Sequence, residues 1–237
     1  MRKITMLFVI LMLSATGFAQ KKKVAVVSFY ADRLVNLDDL GMGGAEIIAD
    51  LANNDSFNLQ PLVQQYHDKF FNEYSKKFPF DLLPETEVTG NAAYQAYQPE
   101  YRPGYSAASY ASYPGYKPVN DVWGKNNEKA MIKMFPEADG VMFVYIDFKM
   151  MKGFGIGGTA TTKMRVTTNI TLYNKKGEKV FSINEGENSK KTGVMVGGVP
   201  VMKPEKVLPM AESALNELMG DLEKRLQKII DKSAKKL

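Results

Sequence analysis

Two stretches of strict alternation, Gly140–Met151 and Thr159–Tyr173, constrain this chain more than any other feature. In the second, Ala160, Thr162, Met164, Val166, Thr168, Ile170 and Leu172 alternate with Thr161, Lys163, Arg165, Thr167, Asn169 and Thr171. Successive strand side chains point to opposite faces, so a period of two held this long describes a half-buried antiparallel strand. In the first, Met142, Val144, Ile146, Phe148 and Met150 share one face. Phe143, Tyr145, Asp147 and Lys149 share the other, which is partly wet. A turn at Asn174–Gly177 and a run at Lys179–Asn184 extend the pair to a three-strand meander. Gly193–Met202 reads as an apolar loop or a tiny hairpin.

An amphipathic sheet needs cover on its apolar face. Leu59, Leu62, Val63, Tyr66, Phe70 and Tyr74 fall at three- and four-residue steps, which predicts a helix over 59–78 ended by Pro79. Val207, Ala211, Leu215, Leu218, Leu222, Leu226, Ile229 and Ile230 make a similar stripe on a C-terminal helix that starts at Pro204 or Pro209. Lys23–Tyr30 (KVAVVSFY) is a buried strand by composition. Ala45–Leu51 predicts two helical turns, Phe80–Thr89 a strand broken at Pro84, and Lys125–Phe135 a short helix. The expected fold is α+β: a mixed, largely antiparallel sheet with helices packed on one face and a long C-terminal amphipathic helix.

The amino terminus sets the compartment. Met1, Arg2 and Lys3 precede an apolar run, Ile4–Leu13, and small residues lead to Gly17-Phe18-Ala19. Residues 1–19 read as a secretory signal peptide, too short in its apolar run to span a bilayer. Residues 20–237 read as a single α+β domain, exported to the periplasm or the cell exterior. The chain has no cysteine, so its stability must come from a packed core, which 45% hydrophobic residues can supply. The net charge of +5 is scattered over helix faces and turns. Lys21–Lys23 and Lys232, Lys235 and Lys236 read as solvated faces rather than a nucleic-acid patch.

Residues 91–118 differ from the rest. Tyr94, Tyr97, Tyr101, Tyr105, Tyr110, Tyr113 and Tyr116 lie here between prolines, glycines and small residues. No helical or alternating period survives the prolines, so an irregular surface segment is expected. Tyrosine offers a flat apolar face and a hydroxyl at little entropic cost, which suits protein and sugar contacts. Either these rings pin a long loop, or Tyr101, Tyr105, Tyr110 and Tyr113 form a partner-binding surface.

The opening strand KVAVVSFY, then EADGVMFVYIDF, TKMRVTTNITLYNKKGEKVFS and a long amphipathic helix together resemble an envelope-protein group. That group contains the amino-terminal domain of the Tol system's B protein, the curli secretion lipoprotein and the lipoprotein activator of a penicillin-binding protein. The resemblance covers about 22–56 and 121–226. It implies a mixed sheet and a role in binding envelope partners. The lipid-bearing cysteine of the lipoprotein members is absent, and the tyrosine segment has no counterpart in the group.

No catalytic set emerges. Gly153, Gly155 and Gly158 satisfy G-x-G-x-x-G, but a strand follows instead of the phosphate-binding helix, so a flexible hairpin loop is expected. Lys191-Thr192-Gly193 matches one box of penicillin-recognising enzymes, while the only S-x-x-K, Ser233–Lys236, comes after it and no S-D-N exists. His67 is the sole histidine and borders the apolar stripe of its helix. Glu85 with Glu87, and Glu185 with Glu187, place carboxylates two apart on expected strands and read as solvent-facing charge. No cofactor or metal is expected.

These readings favour a non-enzymatic bacterial cell-envelope protein that binds a protein partner in envelope assembly or wall synthesis. The alternatives are a glycan-binding module using the tyrosine segment and a ring-forming secretion component.

Overall fold

The computed structural model describes residues 21–41, 45–123, 126–156 and 159–237. The signal-peptide reading of 1–19 and the position of Gly158 lie outside the described residues. The strands are β1 (Lys23–Asp32), β2 (Asp81–Leu82), β3 (Tyr110–Ser112), β4 (Gly140–Ile156), β5 (Thr159–Asn174), β6 (Lys179–Val196) and β7 (Val199–Pro200). They form one mixed sheet in the order β2-β1-β4-β5-β6-β7, with β3 paired to β1. β1 runs parallel to β2 and β4, and every other pairing is antiparallel.

Both alternating runs are strands, and the apolar positions named for β5 are buried. The expected glycine loop is a correction. β4 continues through Gly153 and Gly155 to Ile156, with a register irregularity between Lys152 and Gly155. A Cβ at Gly155 would collide with the Ala160 side chain and the Thr159 carbonyl, so these glycines let two strands approach closely rather than flex. β6 runs far past Asn184. Its polar stretch is held by backbone pairing to β5 and by Ser189, which accepts from the Met164 N–H at 3.0 Å and donates to the Lys191 carbonyl at 2.6 Å. β7 closes the tiny hairpin expected after it, across Gly197 and Gly198 at positive φ.

The helices are α1 (Ala45–Ala52), α2 (Gln60–Lys69), α3 (Glu85–Thr89), α4 (Ala92–Ala96), α5 (Asn127–Met134) and α6 (Pro204–Lys236). α2 continues through a π turn (Phe70–Tyr74) and a 3-10 turn (Ser75–Lys77), which keep Phe70 and Tyr74 buried. α6 lies over β5 and β6. Pro204 opens it, where a missing N–H costs nothing, and Pro209 sits inside it. The Tyr66 hydroxyl meets Thr168 Oγ1 on β5 at 2.6 Å, and the Tyr74 hydroxyl donates to the Met219 carbonyl at 2.6 Å, joining α2 to sheet and α6.

Phe80–Thr89 is a second correction. Only Asp81 and Leu82 pair as a strand, and Glu85–Thr89 is helical. Pro84 fixes the turn before it, and Val88 is then the one apolar side chain of this helix to face the core.

Candidate functional site

A cleft lies on the sheet face opposite α6, at the carboxyl end of β1. Parallel neighbours β1 and β4 pair through Ala31↔Ile146, which puts Asp32 and Asp147 side by side at the next step. Ligand clefts favour the carboxyl ends of parallel strands. Here a cavity of about 840 Å³ is lined by both carboxylates, by Asp38, by Tyr30 and Tyr145, and by Arg102, Tyr105 and Tyr110 of the tyrosine segment.

Burial pushes both carboxyls up. Asp32 rises to about 7; the Leu34 N–H donated to its Oδ1 at 2.8 Å and the nearby Arg102 oppose the rise, and Asp147 adds to it. Asp147 rises to about 6, opposed by Asn169, Arg102 and Arg165. Asn169 donates to Asp147 Oδ2 at 3.0 Å, and Asn184 donates to Asn169 Oδ1 at 2.8 Å. This chain of carboxylate and amides crosses β4, β5 and β6 and fixes the cleft floor.

Aromatic rings make the wall. Tyr30 stacks on Tyr145 with centroids 5.2 Å apart, and Tyr110 meets Tyr30 edge-on at 4.9 Å. Tyr101 and Tyr105 each lie against Tyr110, at 5.8 and 5.7 Å. The Arg102 guanidinium sits 3.5 Å over the Tyr105 ring. Burial, with Asp32 adding, pushes the Tyr110 hydroxyl up to about 12, so it stays a donor. Asn120 donates to the Tyr30 hydroxyl at 3.0 Å and accepts from the Val122 and Trp123 N–H groups, which sets the Trp123 ring at the rim.

The four candidate tyrosines therefore divide. Tyr105 and Tyr110 line the cleft, Tyr101 supports Tyr110, and Tyr113 sits elsewhere, stacked at 3.4 Å on His67. The segment itself is less irregular than its prolines suggest, since α4 and β3 lie within it. Tyr94 is fully buried, donating to the Val27 carbonyl at 2.9 Å and accepting from the Lys117 N–H at 2.8 Å. Buried Asn127 grips the same segment through the Tyr97 hydroxyl and the Glu100 backbone, and donates to the Asn120 carbonyl just beyond it.

His67 is buried among Phe29, Phe71 and Tyr113, with its Nε2 2.6 Å from Glu85 Oε1, which also accepts from the Tyr116 hydroxyl at 3.0 Å. Glu85 and Glu87 are on α3, not a strand. Glu185 is ion-paired to Arg225. Lys191 pairs with Glu212 at 4.0 Å, and Thr192 and Gly193 are ordinary β6 residues. Among the described residues no group of His, Asp and Glu could hold a metal ion, and no helix is long and apolar enough to cross a membrane.

Asp32 was not singled out from the sequence. The available signal was an aspartate closing one apolar strand and another inside a second, which becomes a pair only once those strands are known to be parallel neighbours.

No protein-family model matches the chain, and no curated protein matches it. Among solved structures, the lipoprotein GNA1162 from Neisseria meningitidis is similar over 87% of this chain and 99% of its own, with 10% identity and a TM-score of 0.36. A likeness at that score assigns neither fold nor function.

Proposed function

We propose that this is an exported, non-catalytic binding protein of a bacterial cell envelope, and that its cleft receives a basic side chain of a protein partner. One observation carries the reading. On a chain of net charge +5, the cleft is lined by the partly buried Asp32 and Asp147 and the exposed Asp38, and Arg102 is the one cation among its described lining residues. Burying carboxylates is costly unless positive charge meets them, and the nearby Arg102 and Arg165 do not offset the burial of Asp32 and Asp147, whose carboxyls stay raised. The tyrosines around them favour an ammonium or guanidinium through their ring faces. Assembly of the envelope or synthesis of the wall remains the setting in which such a partner is sought.

Crosslinking in living cells followed by mass spectrometry tests this. The native protein should capture a discrete envelope protein, and the Asp32→Asn/Asp147→Asn variant should lose it. Equal capture by both overturns the reading.

A glycan ligand is the second reading. Trp123 is 56% exposed at the rim, and Asn120, Asn169 and Asn184 offer side-chain amides in the cleft. Polysaccharide binding that survives the double aspartate change and disappears with Trp123→Ala favours it over the first. Turnover of a glycan abolished by Asp32→Asn makes the chain an enzyme, since a carboxyl held protonated near neutral pH is suited to general acid work.

A further inference from the structure

The longest strands end in an apolar tip that no other part of the described chain covers. Phe154 is 79% exposed, Ile156 77%, Val196 59%, Val194 48% and Val199 47%. Strand register gathers them. Ile156, Thr159, Val196 and Val199 stand in one cross-strand row, and Val194 follows Val196 on the same face. At the next row the opposite face is closed, with Ala160, Met195 and Pro200 buried. The tip is therefore anchored from one side and bare on the other.

Its collar is cationic. Lys152 and Lys163 flank it on β4 and β5, and Lys203 and Lys206 follow β7. All four are exposed, and no ion pair among the described residues engages them, whereas Lys190 and Lys191 nearby are paired with Glu217 and Glu212. Glu205 is the one acid between Lys203 and Lys206. Exposed apolar side chains gathered in this way, rather than scattered singly, are a feature of interaction sites. A strand-end projection offers ring and branched side chains to penetrate and lysines to rest above, which is the chemistry of an anionic lipid surface.

We infer that the ends of the β4–β5 and β6–β7 hairpins dock on an anionic bilayer, with Phe154, Ile156, Val194, Val196 and Val199 in the headgroup region and the four lysines against lipid phosphates. This is independent of what the cleft binds.

Vesicle co-sedimentation of the full chain decides it. Vesicles containing phosphatidylglycerol should bind the protein at least tenfold more tightly than pure phosphatidylcholine. Phe154→Ser/Ile156→Ser should lower that affinity at least tenfold with an unchanged circular dichroism spectrum. Lys152→Glu/Lys163→Glu should remove the preference for the anionic lipid. Residues 1–20 are common to all variants, so the comparison isolates the tip. Failure of the native protein to sediment with anionic vesicles overturns the inference, as does equal binding by the variants. A change from dimer to monomer on Phe154→Ser/Ile156→Ser, read by light scattering without any loss of vesicle binding, overturns it in favour of self-association.

Discussion

Tyr94 and Tyr105 belong to the same tyrosine-rich segment and serve opposite ends. Tyr94 is buried against the sheet, and its hydroxyl ties the segment to β1 and to Lys117. Tyr105 is half-buried in the cleft wall, with its ring under Arg102. Composition treats the seven rings alike. The fold spends some as pins so that others can be held in place around a cavity. The anchor reading therefore describes Tyr94, and the contact reading falls to the rings that line the cavity, where partner capture tests it.

Deleting the whole segment would confound them, and point changes separate them. The largest effect should come from Tyr94→Ala, which leaves a cavity and strips partners from a buried carbonyl and N–H. A loss of about 3–5 kcal/mol is expected for such a truncation, read as a lower denaturant midpoint. A loss under about 1 kcal/mol would mean that Tyr94 does not pin the segment.

Asp32→Asn should act in the other direction. Its carboxyl binds a proton more tightly in the folded chain than in the unfolded one, so the fold is favoured below about pH 4, and that advantage is lost as pH rises through about 7. Asparagine keeps the acceptor for the Leu34 N–H and removes the buried charge. Stability at pH 8 should rise by about 1–3 kcal/mol, with no gain at pH 4. Thermal unfolding at the two pH values checks this, and equal shifts at both would exclude ionisation as the cause. A cleft that favours its charged carboxylates so little without a ligand has most to gain from a bound cation.

The smallest change in stability belongs to Tyr105→Ala, at about 0.5–1 kcal/mol for a half-buried wall residue. Its effect should appear instead in partner capture, reduced without loss of fold. Capture unchanged by Tyr105→Ala would confine binding to the carboxylate floor.

Periodicity made much of the scaffold legible. The stripes Leu59–Tyr74 and Val207–Leu226 and the alternation of β5 report which side chains share a face, and local repeats determine that. Departures occurred where something other than side-chain pattern decided. Backbone pairing carries β6 through Glu185–Asn188, the Ser189 and Ser213 hydroxyls hold the irregular Ser189–Lys191, glycine permits the close approach at Gly155, and Pro84 lets Glu85–Thr89 wind as a helix. Of the site, the sequence exposed the tyrosines as a group and Asp147 as a wet strand residue, but neither their division nor the partner of Asp147.

By itself, then, the sequence determined the α+β class, the long C-terminal helix and the buried faces, because each follows from spacing along a few turns or one strand. Tertiary structure alone decided that Asp32 stands beside Asp147, that Tyr113 stacks on His67 away from Tyr110, and that Ile156, Val196 and Val199 share one bare row. Those outcomes depend on which strands become neighbours and in what register. They are fixed by contacts between residues far apart in the chain, and no local pattern encodes them.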